Sequence, residues 1–406
     1  MTIFPLITKM AIERQLYFLL FTFIYILIFT AEAATVNFSV LTYGAVPDGQ
    51  TDSTAAFSAA WAAACASSDA AVIHVPEGRF LLGSVVFEGP CKNNDIRFNI
   101  NGVLVAPSDY NVIGSEGNWV KFSKVSGVSI VGGTLDGQGS SLWSCKHSHD
   151  NCPEGTTALS FYHSNDVTIS GLKSQNSQKF HILIHGCDNA QLEEVDISAA
   201  EDSPNTDGIH VQKSSNVRIL HSKIGTGDDC ISIGPGSSDL WIEDITCGPG
   251  HGISIGSLGW EMEEEGVQNV TVTGVRFSGT QNGFRIKTWS QPSNGFVRGV
   301  NFQHGFMSDV RNPIIIDQNY CPNSNGCTNE GSGVRISDVN YEDIQGTSTT
   351  EVGVNLDCSS REPCMGITLN NVHLRCKEEE ALSSCANAHI TSSDSFVNPS
   401  SCLTAR

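Results

Sequence analysis

At 406 residues, with 16% charged residues, 39 glycines and a formal net charge of −20, the chain has neither a disordered nor a coiled-coil composition, and it is long enough to bury a large apolar interior. The acidic balance lacks the basic footprint that nucleic acid requires, so no nucleic-acid partner is expected. Fourteen cysteines without a Cys-x-x-Cys motif point to disulfides and an oxidising compartment.

The N-terminus agrees with export. Lys9 and Arg14 precede an apolar run from Leu16 to Phe29, and Ala31-Glu32-Ala33 has the form of a cleavage site. Residues 1–33 are predicted to be a signal peptide and 34–406 a single domain. The apolar run is short for a membrane span, so no membrane association is expected after cleavage. Asn37-Phe38-Ser39 and Asn269-Val270-Thr271 are glycosylation sequons, consistent with a secreted protein. Next, Thr51-Asp52-Ser53 reads as a helix cap before an Ala-rich segment, Thr54 to Ala66. Phe57, Trp61 and Cys65 recur there at helical spacing, which predicts a helical lid on one end of the molecule.

From Val128 onward, short alternating strands recur after polar starters: Asn165-Asp166-Val167, Asn189-Ala190, Asn216-Val217, Asp239-Leu240, Asn269-Val270, Gly299-Val300, Gly333-Val334 and Gly366-Ile367. Their start-to-start spacings are 24, 27, 23, 30, 30, 34 and 33 residues. Second strands such as Gly208-Ile209-His210-Val211 and Ile231-Ser232-Ile233 fall between them. Periods of this size mean a repeat architecture. The leucine-rich signature is absent, and propeller blades need longer units. The expected fold class is all-β: a right-handed parallel β-helix of roughly ten coils. Gly and Asn at the unit corners supply the turn conformations a coil needs. Cys358 to Cys402 reads as a loop-rich end tied shut by disulfides.

Four polar clusters interrupt this pattern in order: Asn205-Thr206-Asp207, Gly227-Asp228-Asp229, Gly250-His251-Gly252 and Arg285-Ile286-Lys287. Asp207 to Asp228 is 21 residues and Asp229 to His251 is 22, about one coil each. Same-phase residues on successive coils lie ~4.8 Å apart, so these groups are expected to converge in one column. A single Asp beside Gly is ordinarily a turn residue. Three at one-coil spacing carry a repulsion that turn chemistry does not explain. Asp228 and Asp229 share a site only if the chain bends, and Gly225 and Gly227 allow that. Arg285 and Lys287 share a strand face and suit a carboxylate clamp on an otherwise acidic chain.

The clusters, with Ser203 to His210, Gly225 to Gly236, Cys247 to Gly259, Arg285 to Trp289 and Asn312 to Cys321, resemble the plant polygalacturonases, pectin-cleaving glycoside hydrolases. The resemblance runs from about Asn37 to Leu403. It implies hydrolysis of α-1,4-galacturonosyl bonds in demethylated pectin, without cofactor or metal, by a secreted cell-wall enzyme. Asp228 is implied as general acid, Asp207 and Asp229 as the pair that activates water with inversion, and His251 as a support for the acid. Arg285, Lys287, Tyr320 and Asn205 are implied substrate contacts. Carboxylates stacked ~5 Å apart would by themselves suggest retention instead. The rivals are a rhamnogalacturonan or xylogalacturonan hydrolase, a Ca²⁺-dependent lyase, or a non-catalytic wall-binding protein. A monomer is expected, and no inhibitor partner is legible. Expected disulfides are Cys65–Cys91, Cys145–Cys152, Cys230–Cys247, Cys321–Cys327, Cys358–Cys364 and Cys385–Cys402, leaving Cys187 and Cys376. Three other motifs carry no chemistry in this reading: Gly225-Thr226-Gly227, which no βαβ unit surrounds; His147, His149 and Asp150 in a polar loop; and Glu261, Glu263, Glu264 and Glu265, a solvated cleft edge.

Overall fold

A computed structural model describes residues 35–148, 151–322 and 330–391, together with Gln15 and Cys402. The expected signal peptide apart from Gln15, and His149, Asp150 and Cys327, lie outside the described residues. Alternating apolar residues build the fold. In the strands Ile182–His185, Ile209–Gln212, Ile231–Ile233, Ile253–Leu258, Asn282–Trp289 and Asn312–Tyr320, every second side chain points inward. These strands pair parallel and in register. Ile182, Ile209, Ile231, Ile253, Phe284 and Ile314 form one interior ladder. Ile184, Val211, Ile233, Ile255, Ile286 and Ile316 form the next. All twelve are fully buried. Each such side chain stabilises the stack by roughly 1.5–3 kcal/mol relative to exposure.

This face is an 11-stranded sheet, and a 21-stranded sheet forms the rest of the wall. The larger sheet is two parallel stacks fused where long strands, such as Ser215–Gly225 and Phe296–Val310, run through a corner. The architecture is therefore the expected parallel β-helix. The polar starters have a single conformational role: Asp166, Asn189, Asn216, Asp239 and Asn269 share one register position, each with φ of 53–59°. Asn and Asp tolerate that left-handed state, and their side chains bond along the column, as from Asn189 to Asp166 at 2.6 Å.

The lid helix spans Thr54–Ala66 and buries Phe57 and Trp61. Trp61 packs against Phe87, Phe98 and Phe122 at 5.4–6.0 Å between ring centres. Its start differs from expectation in one detail: Ser53 makes no side-chain cap bond, and the Asp52 carboxylate accepts from the Thr54 amide at 2.9 Å. Coils begin at Val36–Ser39, within the expected 34–406 and ahead of the repeats legible from Val128. Two other expectations need correction. The C-terminal end is strand-rich, with Val352–Asp357, Cys364–Cys376, Leu382–Ala386 and Ala388–Thr391 continuing the stack. The loop around Cys145 contains a short helix, Ser140–His147. Five disulfides join the expected pairs among the described residues. Cys321 is also disulfide-bonded. Cys187 is buried and Cys376 half-buried, both as thiols.

Candidate active site

The 11-stranded face carries the polar clusters on the bends that enter successive strands. Asp207, Asp229 and His251 each stand two residues before the in-register Ile209, Ile231 and Ile253. They form one column, and Asp229 rather than Asp228 is the in-phase partner of Asp207. Asp228 joins them because the chain turns between Gly225 and Ile231. Gly227 makes that turn: its amide reaches the Ser203 and Thr206 hydroxyls at 3.2 Å, and a Cβ there would lie 2.2 Å from the Ser203 carbonyl. The His251 amide then donates to the Asp228 carbonyl at 2.8 Å, which docks the next bend.

The three carboxyl groups sit in different surroundings. Asp228 is partly open to the cleft. Its Oδ1 meets His251 Nδ1 at 3.0 Å and accepts from the Asp229 amide at 2.8 Å. Asn205, exposed at φ 57°, donates to Oδ2 at 3.5 Å. Asp229 is fully buried, and burial alone would push its carboxyl up. Arg285 Nη2 at 2.6 Å and Lys287 Nζ at 2.8 Å outweigh that and hold it well below the usual carboxylate range. Ser254 adds a third donor at 2.8 Å. Asp207 is also buried, and its Oδ2 accepts from Ser232 Oγ at 2.6 Å. Burial, then repulsion from Asp228 and Asp229, raises its carboxyl well above the ordinary value, with Lys287 opposing.

Arg285 and Lys287 share the outer face of Asn282–Trp289, and Arg285 stands in register with Ser254 on the preceding strand. Expected as a clamp for a ligand carboxylate, they are committed first to Asp229. Both are nearly buried, and a buried cation needs a counter-charge. Tyr320 ends the neighbouring strand with its ring 5.4 Å from Lys287 Nζ. It continues an aromatic wall through Trp289 and the exposed Trp260. That wall borders a groove of about 540 Å³ that also takes in His210, Gln212, Lys213 and the acidic loop Glu261, Glu263, Glu264 and Glu265. His147 lies at the end of its short helix, with Nε2 3.0 Å from the Asp202 carbonyl.

Asp228, Asp229 and His251 bring one ligand atom each within 4.8 Å of one another. They make a poor cation site. Asp229 is already neutralised by two side-chain cations, and the trio is far short of the six to eight oxygens that Ca²⁺ takes.

Sequence reasoning missed His210, Ser232 and Ser254. They lie in one outward column with Arg285; Ser232 and Ser254 donate their hydroxyls to Asp207 and Asp229, and the His210 imidazole bonds Ser232. The available signal was a polar residue centred in Ile231-Ser232-Ile233 and Ile253-Ser254-Ile255, which alternation turns outward beside the acids.

Residues 65–402 match the family described as Glycosyl hydrolases family 28. The chain is 58% identical to a polygalacturonase of Prunus persica over 395 residues, 97% of this chain and 100% of that one. It is 40% identical to an exopolygalacturonase of Platanus acerifolia over 370 residues, 90% and 97% of the two chains. Among solved structures, the endo-xylogalacturonan hydrolase of Aspergillus tubingensis aligns with a TM-score of 0.75 at 24% identity, covering 88% of this chain and 99% of that one. The polygalacturonase of Erwinia carotovora ssp. carotovora aligns at 0.68 and 23%, covering 88% and 97%. At those identities the structures speak for a shared fold alone.

Proposed function

Since the chain belongs to glycosyl hydrolases family 28 and is a pectin-cleaving polygalacturonase, we propose a division of labour among its three cleft carboxyl groups. Asp228 protonates the glycosidic oxygen of an α-1,4-galacturonosyl bond, Asp207 takes a proton from the attacking water, and Asp229 stays ionised. The observation that carries this reading is the opposite charge environment of two carboxyls one coil apart. Asp229, pinned by Arg285 and Lys287, holds no proton at working pH. The trio's remaining proton is therefore shared by Asp207 and Asp228. Acid-base hydrolysis needs such a pair: one member gives a proton to the leaving group while the other receives one from water. His251 bonds Asp228 and orients it toward the cleft.

Inversion fits better than retention. A covalent nucleophile needs a free carboxylate oxygen, and Asp229 has Arg285 and Ser254 on one oxygen and Lys287 on the other. Arg285 has five N–H donors and Lys287 three, so both have donors to spare for a galacturonate carboxylate beside Tyr320. Asn205 stands at the cleft edge against Asp228 and completes the contacts. The substrate is the free acid, polygalacturonate. The rhamnogalacturonan, xylogalacturonan and binding-only readings are disfavoured by the polygalacturonases among the similar chains. Secretion as a monomer to the cell wall completes the proposal. Among the described residues no helix is long and apolar enough to cross a membrane.

Asp228→Asn tests the assignment. An amide keeps the shape and cannot donate the acid's proton, so kcat on polygalacturonate should fall by roughly 10²–10⁴ at unchanged Tm. Retention of more than about a tenth of the activity would remove Asp228 from the role. Proton NMR of the first-formed anomer decides inversion, and the oligomer distribution over time separates internal from terminal cleavage.

A further inference from the structure

The proposed reaction leaves a problem at Asp207. To act as base it must be ionised, yet it is buried beside two other carboxyls, Asp228 and Asp229, and burial with that repulsion favours its protonated form. Lys287, the cation that opposes this, is already bonded to Asp229. A group must act on Asp207 itself.

We infer that Ser232 and His210 are positioning residues for the reaction, holding a hydroxyl proton on Asp207 so that Asp228, and not Asp207, carries the proton of the pair. This rests on the roles assigned above. The hydrogen bonds have one consistent direction. Ser232 Oγ lies 2.6 Å from Asp207 Oδ2 and 2.7 Å from His210 Nδ1. An ionised carboxylate only accepts, and a hydroxyl has one proton to give. Ser232 therefore donates to Asp207 and accepts from a neutral His210 protonated at Nδ1. The imidazole is held in that form from all sides. Phe180 stacks on it at 4.9 Å, and Gln212 bonds it from the next outward position. Lys287, Asp229 and His185 act on it most strongly, Asp207 lies beyond the shared Ser232 hydroxyl, and Lys213 with Glu261, Glu263, Glu264 and Glu265 lines the same groove. Burial keeps its pKa down to about 4, so it is neutral through the mildly acidic range. Ser232 is almost fully buried, which excludes water as a substitute donor.

The same device recurs one coil later: Ser254 Oγ donates to Asp229 Oδ1 and accepts from Arg285 Nε at 2.8 Å. There the hydroxyl adds to two full cations. At Asp207 no side-chain cation joins the hydroxyl on the carboxyl among the described residues, so its removal should matter most.

The test is kcat and KM on polygalacturonate from pH 3.5 to 8 for the whole enzyme and its variants. Ser232→Ala should lower kcat about tenfold with little change in KM, the size expected for a hydrogen bond to a charged group. The acid limb of its pH profile should move to higher pH, because Asp207 then ionises later. Ser232→Thr, which keeps the hydroxyl, should restore the limb. His210→Leu should move it the same way by less, and His210→Asn, which keeps an N–H near the Nδ1 position, should move it back. A Ser232→Ala enzyme with wild-type Tm and a wild-type acid limb overturns the inference. If that variant does not fold, coincident acid limbs for His210→Leu and His210→Asn overturn it. Failure of the underlying roles looks different: Asp228→Asn or Asp207→Asn would then remain active, whatever Ser232→Ala does.

Discussion

Asp207 and Asp229 occupy the same position on adjacent coils, both buried, both receiving a serine hydroxyl, and yet their surroundings push the two carboxyls in opposite directions. The difference comes from two residues far along the chain, Arg285 and Lys287, whose strand brings two cations to one carboxylate and leaves the other with Lys287 at longer range. A repeating scaffold thus makes identical seats, and its neighbours decide what each seat does. Burial does not set the charge of a carboxyl; the balance of burial against a partner does.

The sharpest break of that comparison is to neutralise each acid in turn. Asp229→Asn leaves Arg285 and Lys287 buried without a counter-charge, and it should destabilise the fold by about 3–5 kcal/mol at pH 7 and abolish turnover. Asp207→Asn should do the reverse for stability. The wild-type enzyme holds an ionised carboxyl there against its environment, so the amide should raise stability by about 1 kcal/mol at pH 7 while also removing activity. The signs can be followed with pH. Asp207, with its folded value raised, contributes stability that is present below about pH 3.8 and is lost as pH rises through the raised value. The gain in Asp207→Asn should therefore vanish near pH 3. Asp229, with its value depressed, contributes stability above about pH 3.8 that is lost only as pH falls further. Chemical denaturation of both variants at pH 3.5 and 7 checks the pair. Equal shifts in the two variants would dissolve the contrast.

A smaller effect belongs to the neutral imidazoles. His181, buried against Ser174, is held down to about 3, and His210 to about 4. Both stay neutral in the fold while the unfolded chain takes up protons. Tm should decline as pH falls from about 6.5 towards 4, and His181→Asn should flatten the decline. The smallest change should be Ser254→Ala. Asp229 keeps both cations, so kcat should fall by no more than about fivefold and the acid limb should stay in place. Equal pH shifts for Ser254→Ala and Ser232→Ala would mean that the two seats are not distinct.

Much of this was legible in the sequence, for a physical reason. The starters at Asp166, Asn189, Asn216, Asp239 and Asn269 mark left-handed corners, and corners recur once per coil. Their spacing therefore reads out the coil directly. The early coils were not legible because Val36 to Val105 lacks that Asn and Asp column. The acids, His251, Arg285 and Lys287 stood out as polar breaks in an apolar rhythm, and the fold does gather them. What escaped was who bonds whom. Alternation places Arg285 and Lys287 on the outer face, but only the register across Ser254 and Asp229 shows their charge turned inward along the stack. Ser232 and His210 were overlooked because a lone hydroxyl or imidazole between β-branched apolar residues signals only an outward position, not its partner.

The lid formed by Thr54–Ala66 bears on a hazard that belongs to this architecture. Rungs that pair in parallel have no built-in last member, since the terminal strand offers the same row of amides and carbonyls as every strand within. Two such molecules could join head to tail, and a head-to-tail contact that does not close continues as a filament. With Trp61 and Phe57 seated on the terminal aromatics, the helix covers the apolar end onto which a second copy would otherwise stack. It is a chain terminator in the polymer sense, and it keeps an endless geometry to the length of one molecule.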